Sequence, residues 1–283
     1  MGASLSLKIK SIQNETKITG IVRSEESKVK GLELKIADFI FTQKEFEENA
    51  NYKGYDLIIF STPVDLICKK ISIFPNLKNV VLTDLGSTKT EIHKAVEKKF
   101  KTNHNYISSH PMAGSEQTGL SYSKENLYDG KLCILTKPKL ANQSSYLKLE
   151  KFWKMIGCVT IEMKAKEHDE VLAYLSHTPH ILSSILVNWA YSNKQVKTNS
   201  DKFPFPLTGG GFRDMSRIAG SNPDMWDAII SSNEKNIILS LKKFKTEIET
   251  ILEKLNKNKK TKFWKDYFSK SRISRAKILK LKE

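Results

Sequence analysis

Short apolar runs alternate with amphipathic stretches through the first 135 residues, and this alternation constrains the fold of the chain more than any other feature. The runs at 17–22, 37–41, 56–61, 79–85, 105–109 and 131–136 lack a strict in-out period, as strands buried on both faces do. Helical patterns at 25–34, 64–73 and 89–100 lie between them. Strands separated by helices predict a parallel, doubly wound α/β sheet. A helix at 144–155 and a strand at 159–163 follow, and beyond Glu167 no further strand is predicted. Residues 167–191 read as one long apolar helix, 192–202 as a polar connector and 203–211 as a Pro- and Gly-rich turn. More helices run through 255, and 263–283 form a basic amphipathic helix with a solvated face. The expected organisation is an α/β half, 1–165, and an all-α half, 166–283, without internal repeats.

Composition narrows the partners. A 39% hydrophobic share with 9% aromatics supports a buried core. The net charge of +16 raises nucleic acid or an anionic membrane as partners, but only five of 47 basic residues are arginine and the lysines are spread along the chain. Neither partner is expected. Cys68, Cys133 and Cys158 lie far apart with no C-x-x-C, which reads as reduced thiols without disulfide or zinc. No apolar stretch reaches the roughly 18 residues of a membrane span and the start lacks signal-peptide order, so a cytoplasmic location is expected.

In doubly wound sheets, ligands bind beyond the carboxyl ends of the strands, where Ser61-Thr62-Pro63, Gly86-Ser87 and His110 fall. His110 precedes Pro111 in a turn carrying Gly114, Glu116 and Gly119. An imidazole there suits acid/base work, although an ordinary loop histidine would look the same. Residues 209–226, GGGFRDMSRIAGSNPDMW, hold Arg213, Arg217 and Trp226. Two of five arginines within five residues point either to an anion site or to surface pairs at a helix start. His177 and His180 flank Pro179; with no third ligand at zinc spacing, a pocket-facing pair is expected and a metal is not. His168, beside Asp169, falls in the first turn of the long helix.

Five segments, taken in order, resemble the prephenate dehydrogenase family of tyrosine biosynthesis: DLIIFSTPV, VVLTDLGSTKT, SSHPMAGSEQTG, EHDEVLAYLSHTPHIL and GGGFRDMSRIAGSNPDMW. The resemblance covers essentially the whole chain. It implies a Rossmann-like nucleotide-binding domain followed by a helical dimerisation domain, and NAD(P)-dependent oxidative decarboxylation of prephenate. Arogenate as substrate and a non-catalytic dimeric homologue are the alternatives. The resemblance implies that His110 takes the ring hydroxyl's proton and that Ser87 orients that histidine or the hydroxyl. It implies Arg217 on a substrate carboxylate, with Arg213 as a second contact, and His177, His180, Glu116 and Trp226 as pocket residues. Cofactor contacts fall on Gly2, Arg23, Ser24, Ser61, Thr62, Pro63 and Gly86.

Two departures stand out. The opening Met-Gly-Ala-Ser-Leu-Ser-Leu resembles a dinucleotide fingerprint, G-x-G-x-x-G, entered at its third glycine, without the preceding strand. In-frame sequence upstream of Met1 is expected to encode that strand. Where the family usually has an acidic residue after the second strand, this chain has Val22-Arg23-Ser24, which favours NADP over NAD.

Overall fold

The computed structural model describes residues 1–283 apart from 14, 49–51, 53, 115–118, 257–262 and 282–283. Two compact units divide it, Met1–Ile238 and Leu239–Glu283. The first opens with α1 (Gly2–Ile12), β1 (Thr19–Val22), α2 (Glu25–Glu33), β2 (Phe39–Thr42), α3 (Gln43–Glu48), β3 (Leu57–Phe60) and α4 (Val64–Ile73). It continues with β4 (Val81–Asp84), α5 (Thr90–Lys99), β5 (Ser108–Pro111), β6 (Leu132–Thr136), α6 (Gln143–Met155) and β7 (Val159–Glu162). Helices then take over: α7 (Ala165–Leu172), α8 (Thr178–Ser192), α9 (Lys194–Lys202), α10 (Gly210–Ser216) and α11 (Pro223–Ser232). α12 (Glu234–Asn256) begins in this unit and continues in the second, which ends with α13 (Phe263–Leu279). Within α13 the rings of Phe263, Trp264, Tyr267 and Phe268 pack against one another at helical spacing.

β4 explains why the sheet needs helices on both sides. Val81 and Leu85 pack with Leu5 of α1 and Leu149 and Trp153 of α6, whereas Leu82 packs with Ile67 and Ile71 of α4 and Ile92 and Val96 of α5. Successive strand residues point to opposite faces, so both faces of β4 are core. Its own four residues are all buried.

Pairing is parallel for β1 with β2, β3 with β4, and β6 with β7. β5 departs from the expected all-parallel sheet, because it runs antiparallel to β6. Among the described residues of the link from β5 to β6 the helical structure is two 3₁₀ turns, Leu120–Tyr122 and Glu125–Tyr128, and the chain returns in the opposite direction. Just before β5, Leu82 donates to Asn105 O and Ile107 to Leu82 O, which continues the sheet from β4. Among the described residues no strand pairs with the second edge of β1 or of β3. Both strands line one cavity of about 1830 Å³ there, and Tyr55 Oη reaches Thr19 Oγ1 at 3.0 Å.

Two helical expectations need correction. Residues 192–202 are not a connector: α9 forms there, with Asn193 Oδ1 accepting from Gln195 N and Val196 N. Val196 is its one apolar residue, so no apolar stripe marks it. The long apolar helix is interrupted by a π turn over Ala173–His177, with Thr178 N reaching Ala173 O. Pro179 accounts for it, since it donates no N–H and its ring crowds the carbonyl four residues back.

Candidate active site

His110 does not sit in a loop beyond a strand. It is the third residue of β5, opposite Ile134 of β6, and the turn follows it. Pro111 is tolerated because it ends the strand. His110 is only partly buried and opens into the large cavity. Its Nδ1 lies 2.8 Å from His168 Nε2, and His168 Nδ1 lies 2.8 Å from Asp169 Oδ1. Burial pulls the His110 pKa well below its usual value, and the neighbouring His168, Lys89 and His177 add to the effect. The ring is neutral near pH 7, as a base must be.

Helix α5 anchors this group. Gly86 N donates to Asp84 Oδ1, closing a tight turn after β4 in which a Cβ would meet Ile92 Cδ1 at 2.7 Å and Asp84 Oδ1 at 2.9 Å. Lys89, fully buried at the start of α5, points inward to Asp84 Oδ1 at 2.5 Å and Ser109 O at 2.7 Å. Tyr106 Oη completes the coordination of Asp84 at 3.0 Å. A buried ammonium is tolerable only with such pairing. The α5 amides are capped from a distance, by Asp169.

On the helical side, the π turn brings His177 and His180 into the interior, 1% and 7% exposed. His177 Nδ1 meets Asn233 Nδ2 at 3.0 Å, and since an amide nitrogen only donates, the His177 proton sits on Nε2. Burial pulls His177 down to about 4 and lowers His180 as well. His180 stacks on Trp226, centroids 3.5 Å apart. Asn222 caps α11 through Met225 N and so sets Trp226 in place. The Trp226 Nε1 hydrogen is buried and has no partner among the described residues.

One cavity therefore collects His110, Ser87, His177, His180, Trp226 and Arg217. The same cavity extends to Gly2 at the start of α1, to Ser61 and Thr62 after β3, and to Arg23 after β1. Arg213 is exposed and does not line it. Ser24 spends its hydroxyl capping α2 through Ser27 N, and Pro63 begins α4 without lining the cavity. Gly86 is buried behind the wall rather than in it. Glu116 lies outside the described residues. Sequence reasoning missed His168, Asp169, Lys89 and Asn233. Their only signal was the adjacent His-Asp pair, since the contacts that join them, Lys89 to Asp169, His110 to His168 and His177 to Asn233, span 56 to 80 positions.

The residues at the α1 end suit a dinucleotide phosphate. The α1 N-terminus has no side-chain cap, which leaves its amides open to an anion. A Cβ on Gly2 would stand 2.6 Å from Ser61 Oγ and 3.2 Å from Ser61 Cβ, so glycine lets the loop after β3 close against the helix without displacing the Ser61 side chain. Thr62 Oγ1 is buried and has no partner among the described residues.

Comparison with known proteins supplies the family. A model described as prephenate dehydrogenase, nucleotide-binding domain, matches residues 5–162, and one described as prephenate dehydrogenase, dimerization domain, matches residues 164–268. The prephenate dehydrogenase of Lactococcus lactis is 31% identical over 265 residues, 91% of this chain and 69% of that protein. The Bacillus subtilis prephenate dehydrogenase is 28% identical over 254 residues, covering 89% and 66%. The chain thus spans about two thirds of the length of these relatives. A crystal structure of prephenate dehydrogenase from A. aeolicus in complex with hydroxyphenyl propionate and NAD+ superposes with a TM-score of 0.85 at 28% identity, over 98% of this chain and 94% of that one.

Proposed function

The chain belongs to the prephenate dehydrogenase family, and from that premise we propose that it oxidatively decarboxylates prephenate to 4-hydroxyphenylpyruvate with NAD(P)+. One observation carries the reading: a neutral histidine, Arg217, the His180–Trp226 stack and an open helix N-terminus all line a single cavity.

A bound nicotinamide would supply the acceptor for the hydride of the ring carbon that carries the hydroxyl. His110 takes the hydroxyl proton as that carbon becomes a carbonyl. The ring carboxylate then leaves as carbon dioxide, its bonding pair aromatises the ring, and the proton returns from His110 to the phenolic oxygen. General-base assistance of this kind contributes ~10²–10⁴ in rate. Arg217 forms the ion pair with a substrate carboxylate, where its planar fork gives direction as well as charge. Ser87, in the same cavity wall, supports the hydroxyl or His110, and the Trp226 N–H, His177 and His180 contact the side chain of the substrate. Glu116 is retained as a pocket residue on the family resemblance alone.

We assign cofactor work to residues 1–165 and substrate and dimer contacts to 166–283. Gly2 and the uncapped α1 N-terminus, with Ser61 and Thr62 beside them in the cavity wall, would hold the cofactor's phosphates. Arg23 lines the cavity and favours a 2′-phosphate, hence NADP. Homodimerisation is supported by apolar side chains left in water in the helical half, among them Trp189 of α8 at 69%, Met215 of α10 at 66% and Phe205, between α9 and α10, at 75% exposure. Among the described residues no helix is long and apolar enough to cross a membrane, and a cytoplasmic setting fits a nicotinamide enzyme.

Rates with prephenate and with arogenate, each with NAD+ and NADP+, test the proposal. Turnover is expected to be fastest with prephenate and NADP+. Faster turnover of arogenate would move the assignment to the amino analogue, and no turnover of any pair by the folded protein would refute it.

A further inference from the structure

We infer that Asp169 and His168 form a proton relay behind His110, in which one buried carboxylate dictates the tautomer of both imidazoles and leaves His110 Nε2 as the base. The inference rests on His110 being the base of the proposed reaction, and it adds two residues that hold and charge-balance it.

The protonation states follow from a single end point. Asp169 Oδ1 accepts from the Lys89 amide and Oδ2 from the Thr90 amide, each at 2.8 Å. Burial opposes its charge, but the bonds from His168 and Thr90 outweigh burial and hold the carboxyl below its usual pKa. An ionised carboxylate only accepts, so His168 Nδ1, 2.8 Å away, carries a hydrogen. His168 is kept neutral by burial, despite the raising effect of Asp169, which leaves its Nε2 with a lone pair. His110 Nδ1, 2.8 Å from that lone pair, must donate. The remaining nitrogen of a neutral His110, Nε2, is then the acceptor, on a ring that opens into the cavity.

Proton uptake uses the same line in reverse. When Nε2 gains the substrate proton, the Nδ1 proton can pass 2.8 Å to His168 Nε2, and the positive charge then sits opposite Asp169. Both side chains of the pair are essentially inaccessible to solvent, 0% and 1% exposed, so this attraction is little screened. The other groups that face His110 do not compete for the role. Lys89 is held by Asp84, His177 is held by Asn233, and the Cys133 thiol of β6 is pushed far up by burial; Arg217 lines the same cavity as a permanent cation that takes no proton.

The most direct test needs no variant: ¹⁵N-histidine NMR of the full chain near neutral pH, with His110→Gln and His168→Gln used only for assignment. Both rings are expected as Nδ1–H tautomers with a bare Nε2. An Nε2–H tautomer at His110 would overturn the relay, whether or not the enzyme turns over, so it fails separately from the functional proposal. Kinetics supply the second readout. Asp169→Asn removes the charge, while His168→Gln cuts the line and leaves the α5 cap intact. Each is expected to lower kcat by at least ~10²-fold with substrate and cofactor KM changed less than about threefold. In Asp169→Asn the acidic limb of the kcat profile should also move to lower pH, because the imidazolium loses its counter-charge. A loss of kcat that only tracks the folded fraction, with an unmoved limb, would contradict the relay.

Discussion

At the scale of single residues, two arginines four positions apart separate sharply once the structure is in hand. Both are exposed and stand in one Arg-rich segment, yet Arg217 lines the cavity while Arg213 does not. A charge-assisted bond is worth about 1.5–3 kcal/mol, so Arg217→Ala should raise the KM for prephenate roughly tenfold to a hundredfold and kcat should change less. Arg213→Ala should leave KM within about twofold, a contrast read in one set of steady-state assays. Residue identity made both arginines visible, since planar recognition of a carboxylate needs that side chain. Which of them lines the cavity depends on the break from α10 into the 3₁₀ turn at Arg217–Gly220, and no local signal announces that break. His168 was hidden for a related reason. A histidine in the first turn of a helix looks solvated until a strand 58 positions away supplies its partner.

At the scale of elements, regular secondary structure was largely legible because it follows from periodicity. α4 spans Val64–Ile73 as its pattern predicts, and β6 and β7 end within a residue or so of their apolar runs. Direction and interruption were not legible. β5 runs antiparallel to β6 although its apolar run looks like those of the parallel strands, and the π turn before Pro179 redirects two histidines that a straight helix would present differently. The turn after β4 matters most, since it sets Ser87 in the cavity wall and starts α5 toward Asp169. Gly86→Ala places a methyl group against Ile92 and Asp84, and overpacking of this kind costs about 1–3 kcal/mol. Thermal denaturation should show the lowered melting temperature; an unchanged one would mean that the turn relaxes freely.

Across the whole molecule, all six histidines have pKa values below the usual one, chiefly because each is withdrawn from water. Unfolded, they titrate near pH 6.5, so below that value the unfolded chain binds more protons and stability must fall. The stability is complete above about pH 6.5 and is lost as pH drops toward about 4, where His93 and His177 titrate. At 1.36 kcal/mol per pH unit, each of these two accounts for on the order of 3 kcal/mol. Denaturant midpoints measured from neutral to acidic pH should decline through that window, and a flat profile would contradict the buried neutral rings. The two-part plan of the chain was legible from where strands stop, whereas the unpaired edges of β1 and β3 emerge only from three-dimensional pairing. The account turns on His110 as the base, and reduced-cofactor absorbance with prephenate, compared between the unaltered chain and His110→Gln, tests it most directly. It predicts a fall in kcat of ~10²–10⁴ with KM nearly unchanged; a variant that keeps its rate within about threefold would contradict it.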